Sequence, residues 1–259
     1  MAKVALLQLD AGPGTVQDTL PRIEDALARA GREGAVLLVA PELATTGYGA
    51  GPDFAALAEP EDGPLLTRLR TGVEASGVAL VTGFAERDGV NIYNSAVALV
   101  PGAPPVVYRK AQLYGDYERD HFRAGAPAAV TTRVGDLTVG LLICFDAEFP
   151  EHVRRLALAG CDLVAVPTAT PDALTSVFIA EKMLPTRAFE NHVFVAYANW
   201  AGIDDRFGYA GRSVLSAPDG ADLLRAPSRG GFLGVAEVNP SAYEITRREN
   251  PYLSELVCD

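Results

Sequence analysis

The chain has 259 residues, of which 49% are hydrophobic and 21% charged, and a formal net charge of −11. That length suits one large α/β domain spanning residues 1–259, and the apolar content is enough for a substantial core, which excludes general disorder. The negative charge argues against nucleic acid or an anionic membrane as the principal partner, since both call for cationic surface, and favours a neutral or cationic small molecule.

Residues 3–9 read as a buried strand, and after the Gly12-Pro13-Gly14 turn residues 16–30 carry helical spacing in Leu20, Ile23, Leu27 and Ala30. Residues 35–40 form a second apolar strand. The alternation continues with a helix over 65–75, a strand over 78–84 and, past the Asp88-Gly89 turn, a strand over 92–100. Another strand, Val106-Val107-Tyr108-Arg109, runs up to Lys110. Farther on, 137–143 is a strand, 149–159 a helix, and 162–166 a strand closed by Pro167. A helix over 180–191 and a strand over 193–198 follow. Shorter strands are expected at 213–216, 222–225 and 232–238, joined by turns at Pro218-Asp219-Gly220 and Arg229-Gly230-Gly231. Gly47-Tyr48-Gly49-Ala50-Gly51 reads as a loop. From about residue 240 no period is visible, and a tail or arm is expected. Strand, helix, strand blocks in both halves suit two mixed sheets packed face to face with helices outside, a four-layer αββα sandwich.

Three cysteines, Cys144, Cys161 and Cys258, are too widely spaced for a disulfide framework or a paired zinc site, and His121, His152 and His192 form no close ligand pair. Reduced thiols and no metal or other cofactor are expected. Residues 1–10 carry no basic segment or cleavage site of signal type, and no apolar run reaches the roughly 18 residues that span a bilayer. A cytoplasmic location is the expectation.

Three reactive side chains close apolar strands: Glu42 in Val39-Ala40-Pro41-Glu42, Lys110 after Tyr108-Arg109, and Cys144 in Leu141-Leu142-Ile143-Cys144. In open α/β sheets ligands bind at the carboxyl ends of strands, so groups distant in sequence can converge there. Each also has a plainer reading: a core thiol, a turn carboxylate, a solvated lysine.

Together they resemble a known pattern. Pro41-Glu42-Leu43, Tyr108-Arg109-Lys110 and Ile143-Cys144-Phe145-Asp146, with Phe122-Arg123-Ala124-Gly125 and Val166-Pro167-Thr168-Ala169 between and after them, resemble the nitrilase superfamily of carbon–nitrogen hydrolases across nearly the whole chain. The resemblance implies the αββα fold and a homodimer or higher homo-oligomer, with the tail from about residue 240 in oligomer contacts. It implies Glu42 as general base, Lys110 as oxyanion stabiliser and Cys144 as nucleophile, forming a thioester. Glu118 matches a second glutamate of the family, although among Asp116, Arg119 and Asp120 it also reads as a solvated carboxylate.

The segment from Cys144 to Glu151 looks most like the aliphatic amidase branch that includes 5-aminopentanamidase and R-stereoselective amidases. Where Glu148 stands, several other branches place an arginine. That exchange favours a cationic or neutral substrate tail, hence an ω-amino or ω-guanidino carboxamide or an amino-acid amide, unless Glu148 merely starts a helix. Tyr48, Phe145, Ala169 and Trp200 are the other candidates for contact with substrate, with core roles for the aromatics as the alternative. A nitrilase, an N-carbamoyl amidohydrolase, an N-acyltransferase and a non-catalytic binding protein on the same fold are the competing functions.

Overall fold

The structure, a computed structural model, describes residues 1–13 and 19–257. Residues 16–18 of the first expected helix, Gly14 of the turn before it, and Cys258 lie outside the described residues.

Strand β1 (Ala2–Ala11) is followed by helix α1 (Thr19–Arg32), strand β2 (Leu37–Val39) and the short helix α2 (Phe54–Leu57). Helix α3 (Pro64–Ser76) starts on a proline, whose missing N–H is not needed in a first turn, and stops where Gly77 turns left-handed at φ 70°. Strands β3 (Ala79–Asp88), β4 (Asn91–Leu99) and β5 (Val106–Arg109) form an antiparallel meander. Helix α4 (Gly115–His121), strands β6 (Thr131–Val134) and β7 (Leu137–Leu141), helix α5 (Pro150–Leu158) and strand β8 (Leu163–Pro167) come next. A helical run then joins α6 (Leu174–Phe178), a π turn (Ile179–Met183) and α7 (Leu184–Asn191). Strands β9 (Phe194–Ala198), β10 (Trp200–Ile203), β11 (Gly208–Ala210), β12 (Val214–Ser216), β13 (Asp222–Arg225) and β14 (Phe232–Val238) precede helix α8 (Glu244–Glu249).

Among the described residues these strands form two mixed sheets. One has eight strands in the order β11-β10-β1-β2-β3-β4-β5, with β14 antiparallel to β1; the other has six in the order β13-β12-β9-β8-β7-β6. The parallel pairs β1–β2, β2–β3, β7–β8 and β8–β9 each need a crossover, which α1, α3, α5 and the α6–α7 run supply. Val4, Leu6, Val39 and Val81 of the first sheet pack on Val139, Leu141, Ala165 and Ala196 of the second in one buried cluster, which Val153, Leu156, Leu184 and Ala188 of α5 and α7 join. Ala5, Leu7 and Leu38, on the other face of the first sheet, meet Ile23, Leu27, Leu69 and Val73 of α1 and α3. Helix, sheet, sheet, helix is the expected αββα sandwich. With both faces covered, residues 4–9 of β1 are buried without alternation, which is why the sequence there is apolar at every position but Gln8.

The sequence expectations omit helix α2 and strands β10 and β11, and they differ from the structure elsewhere as well. The helix expected at 180–191 begins at Leu174, because Leu174 and Phe178 face outward and break no polar run that a periodicity reading could use. The loop at 47–51 tightens into a 3₁₀ turn from Tyr48. Edge strand β6 and helix α4 carry polar sequences, Thr-Thr-Arg-Val and Gly-Asp-Tyr-Glu-Arg-Asp-His, without an apolar period. The expected tail contains a 3₁₀ turn (Pro240–Tyr243) and α8, and folds back on its own chain: Tyr243 packs edge-on against Phe194 at 5.3 Å, and Tyr252 stacks on His192 at 5.7 Å. No helix among the described residues is long and apolar enough to cross a membrane.

Gln8 of β1 ties the two sheets together from the buried space between them. Its amide nitrogen donates to the carbonyls of Pro227 and Gly230, both at 2.9 Å, and its oxygen accepts from the Ser213 N–H at 3.1 Å and hydroxyl at 2.9 Å. Gln8→Ala removes the bonds to the Gly230 carbonyl and the Ser213 N–H, while the Pro227 carbonyl keeps the Arg212 N–H and the Ser213 hydroxyl keeps Asn199, so a loss of about 2–4 kcal/mol is expected in a denaturant titration. A loss under about 1 kcal/mol would show that the bridge is dispensable.

Candidate active site

The carboxyl ends of β2, β5 and β7 bring Glu42, Lys110 and Cys144 together between the two sheets. Glu42 follows β2 by three residues, and its loop lies hard against β3: a Cβ on Gly83 would sit 2.6 Å from Glu42 Cα and 2.2 Å from Leu43 N. Only glycine allows that approach. Leu43 takes φ 49°, and the indole N–H of Trp200 donates to the Glu42 carbonyl at 2.8 Å. Trp200 is thus a buried anchor for the Glu42 backbone.

Lys110 extends β5 and lies opposite Asn94 of β4, whose carbonyl accepts from the Lys110 N–H at 2.9 Å. The Lys110 ammonium, fully buried, donates to Glu42 Oε1 at 2.7 Å and to Glu118 Oε1 at 2.6 Å. Glu118, on α4, also accepts from the Tyr48 hydroxyl at 2.9 Å and, through Oε2, from the Tyr114 N–H at 2.8 Å. It is buried, so the solvated reading of this carboxylate fails.

Cys144 opens a 3₁₀ turn (Cys144–Glu148) with φ 44°, a left-handed conformation that strains a non-glycine residue. Asp146 holds this turn. One of its oxygens accepts from the Ile143 N–H at 3.2 Å and the Tyr108 hydroxyl at 3.0 Å, and the other from the Gln112 N–H at 2.8 Å. The turn that carries the thiol is therefore bonded to the segment that carries Lys110. Cys144 Sγ lies 3.9 Å from the Thr170 hydroxyl, which in turn bonds the hydroxyl of buried Tyr197. The Ala169 N–H is directed at the thiol.

Burial sets the protonation states. It raises Glu42 to about 7, with Glu118 adding to the effect and Lys110 and Asn94 opposing it. Burial, reinforced by the Glu42 carboxylate, pushes the Cys144 thiol well up, so it is neutral at rest. For Lys110 burial opposes the charge, but the flanking carboxylates of Glu118 and Glu42 outweigh it and the ammonium persists. A neutral thiol beside a carboxylate poised near neutrality is the arrangement that a thiol nucleophile with a general base requires.

A cavity of about 120 Å³ opens beside Cys144, lined by Tyr114, Glu148, Thr170, Ser176 and Ile179 among others. Of the five residues expected at the substrate, Glu148 lines it. Burial holds the Glu148 carboxyl at about 7 against the pull of Lys110 and Arg187. Phe145 stands behind Tyr114, the rings 5.2 Å apart and edge-on, and Tyr48 sits beyond Glu118 among other aromatic rings. Sequence reasoning missed Asn94, Tyr114, Thr170 and Tyr197. The signals for Asn94 and Thr170 were polar residues inside or just past apolar strands. Among the described residues no group of three or more His, Cys, Asp or Glu side chains is placed to hold a metal ion.

Lys110→Met would leave two buried carboxylates without their cation, at an expected cost of about 3–5 kcal/mol near pH 8. Glu42, already raised by burial, would rise further and bind a proton in the folded state alone, so the loss should shrink as pH falls towards about 5. Urea titrations at the two pH values check this; an equal loss at both would contradict it.

The carbon–nitrogen hydrolase family model matches residues 3–248. A hydrolase encoded in the pqqF 5′ region of Pseudomonas protegens is 40% identical over 98% of this chain and 88% of its own. An (R)-stereoselective amidase from a Pseudomonas species is 34% identical over 98% of this chain and 90% of its own. Among solved structures, an amidase from Nesterenkonia sp. superposes with a TM-score of 0.87 at 32% identity, covering 98% of this chain and 93% of that one. A variant of a Nesterenkonia amidase carries the acetamide moiety of fluoroacetamide covalently on its active-site cysteine. Three strand ends converging on a buried thiol, carboxylate and ammonium, on this fold and with these relatives, establish that the chain belongs to the carbon–nitrogen hydrolase family of the nitrilase superfamily.

Proposed function

We propose that the chain hydrolyses a small carboxamide to its carboxylic acid and ammonia through a thioester on Cys144. The observation that carries this reading is the shared ammonium: Lys110 Nζ lies 2.7 Å from Glu42 and 2.6 Å from Glu118, closed off from solvent beside the thiol that lines the cavity. In this reading Glu42 takes the thiol proton as Sγ attacks the amide carbonyl carbon. The ammonium has three donors and spends two on carboxylates, so one remains for the oxyanion, with the Phe145 N–H as a second donor. Glu42 passes its proton to the amide nitrogen, the C–N bond breaks and ammonia leaves. Water then gives a proton to Glu42 and adds to the thioester, and collapse of that adduct returns the thiol. Glu118 orients the ammonium throughout.

The cavity supports the narrower part of the proposal. Its 120 Å³ is about four times a water's share of the liquid, room for an acyl group of a few heavy atoms with a longer tail reaching outward. Glu148 on the wall supplies an anion above pH of about 7, so we place an ω-amino or ω-guanidino carboxamide, or an amino-acid amide, in the cavity. A homodimer or higher oligomer with contacts from about residue 240 onward, a single domain and a cytoplasmic location belong to the same reading.

Ammonia release across amides, nitriles and N-carbamoyl compounds tests the reaction: amides are expected to turn over, Cys144→Ala to abolish turnover while keeping the fold, and activity confined to nitriles would contradict the proposal. For the substrate, Glu148→Gln is expected to lower kcat/KM about 10–100-fold for an ω-amino amide and leave the alkyl amide of equal length within about threefold. In the wild type the preference for the amino substrate should fade as pH drops through about 7 and Glu148 takes up a proton. An equal fall for both substrates would remove Glu148 from recognition of the tail.

A further inference from the structure

The two oxygens of Glu42 are not equivalent. Oε1 accepts from Lys110 Nζ at 2.7 Å and from Asn94 Nδ2 at 2.7 Å, while Oε2, equally buried, has no hydrogen-bond partner among the described residues. Asn94 lies on β4 directly across the ladder from Lys110, since Ser95 pairs with Arg109. Its carbonyl bonds the Lys110 N–H at 2.9 Å and its side chain bonds Glu42, so one residue fixes both members of the pair. Its neighbour Ser95, on the opposite face, bonds Glu86 at 2.6 Å, which accounts for two adjacent polar residues in an apolar strand.

We propose that Asn94 is a positioning residue that saturates Glu42 Oε1 and thereby assigns the proton shuttle to Oε2. The inference rests on the hydrolase reading, in which Glu42 moves the proton. A proton arriving at Oε1 would meet two N–H donors and displace at least one; a proton arriving at Oε2 breaks nothing. Asn94 also stabilises the ionised carboxylate. The charged or titratable groups facing Glu42 are Lys110, Glu118, Cys144 and the phenols of Tyr48, Tyr197 and Tyr209, and among the donors to its side chain only Asn94 is uncharged.

The test is alkylation of Cys144 by iodoacetamide between about pH 5 and 9, read by mass spectrometry of the Cys144 peptide, alongside kcat/KM for an amide. In the wild type the rate should rise with a midpoint at about 7 as Glu42 ionises. Asn94→Leu removes a donor to the anion, so the midpoint should move up by about one unit. The isosteric Asn94→Asp should also move it up, because two carboxyl groups in contact retain a proton between them. A uniform fall in rate with an unmoved midpoint, no titration in the wild type, or loss of fold in both variants would overturn the assignment. Alkylation needs no turnover, so the two proposals fail separately: a shifted midpoint in a protein that releases no ammonia from any amide retains the positioning role and discards the hydrolase reading. Normal turnover with an unmoved midpoint does the reverse.

Discussion

One ammonium group, fully buried and shared at 2.7 and 2.6 Å by the carboxylates of Glu42 and Glu118, is the constraint around which the site is organised. Removing such charges from water costs several kcal/mol per ion, and their attraction offsets this only if the remaining lone pairs find donors. Asn94, Tyr48 and the Tyr114 N–H supply them, leaving the buried Glu42 Oε2 as the cluster's oxygen without a donor among the described residues. With two carboxylates for one cation, Glu42 cannot hold its charge as firmly as an ordinary ion-paired acid. Its pKa near 7 follows from burial and charge count together.

That cluster needs the face-to-face sheets. Glu42 and Lys110 belong to the eight-stranded sheet and Cys144 to the six-stranded one, so the thiol meets the carboxylate across the interface between them. Asp146 joins the halves by accepting from Tyr108 and Gln112 on one side and Ile143 on the other. Those bonds hold Cys144 at φ 44°, and the closeness of Gly83 to the Glu42 backbone fixes that loop in the same way. Strain of this kind persists only where neighbours over-determine it.

The ends of the apolar runs made Glu42, Lys110 and Cys144 legible in the sequence, because a reactive residue after a buried strand has a defined place at the sheet edge. Glu118 was legible only through resemblance: its helix is charged throughout, and its burial comes from the partners that surround it rather than from local pattern. Trp200 and Tyr48 show the opposite limit. An aromatic residue in an apolar context declares that it is buried but not which way it points, and both turned out to hold catalytic candidates in place without lining the cavity. Asn94 and Thr170 escaped notice because one or two polar residues within or after a strand carry no period. The folded C-terminal segment depends on contacts made by distant parts of the chain, such as Tyr243 on Phe194, and the helix start at Leu174 carries apolar residues that face outward.

The central claim is that Glu42 sits in the buried cluster with a proton affinity matched to neutral pH. Difference infrared titration of the protonated carboxyl band, wild type against Glu42→Gln, reads that affinity without any substrate. The account predicts that wild type minus variant, in which the Glu148 band cancels, leaves a band lost with a midpoint at about 7. A midpoint at about 4.5, the value of an ordinary glutamate, would contradict it.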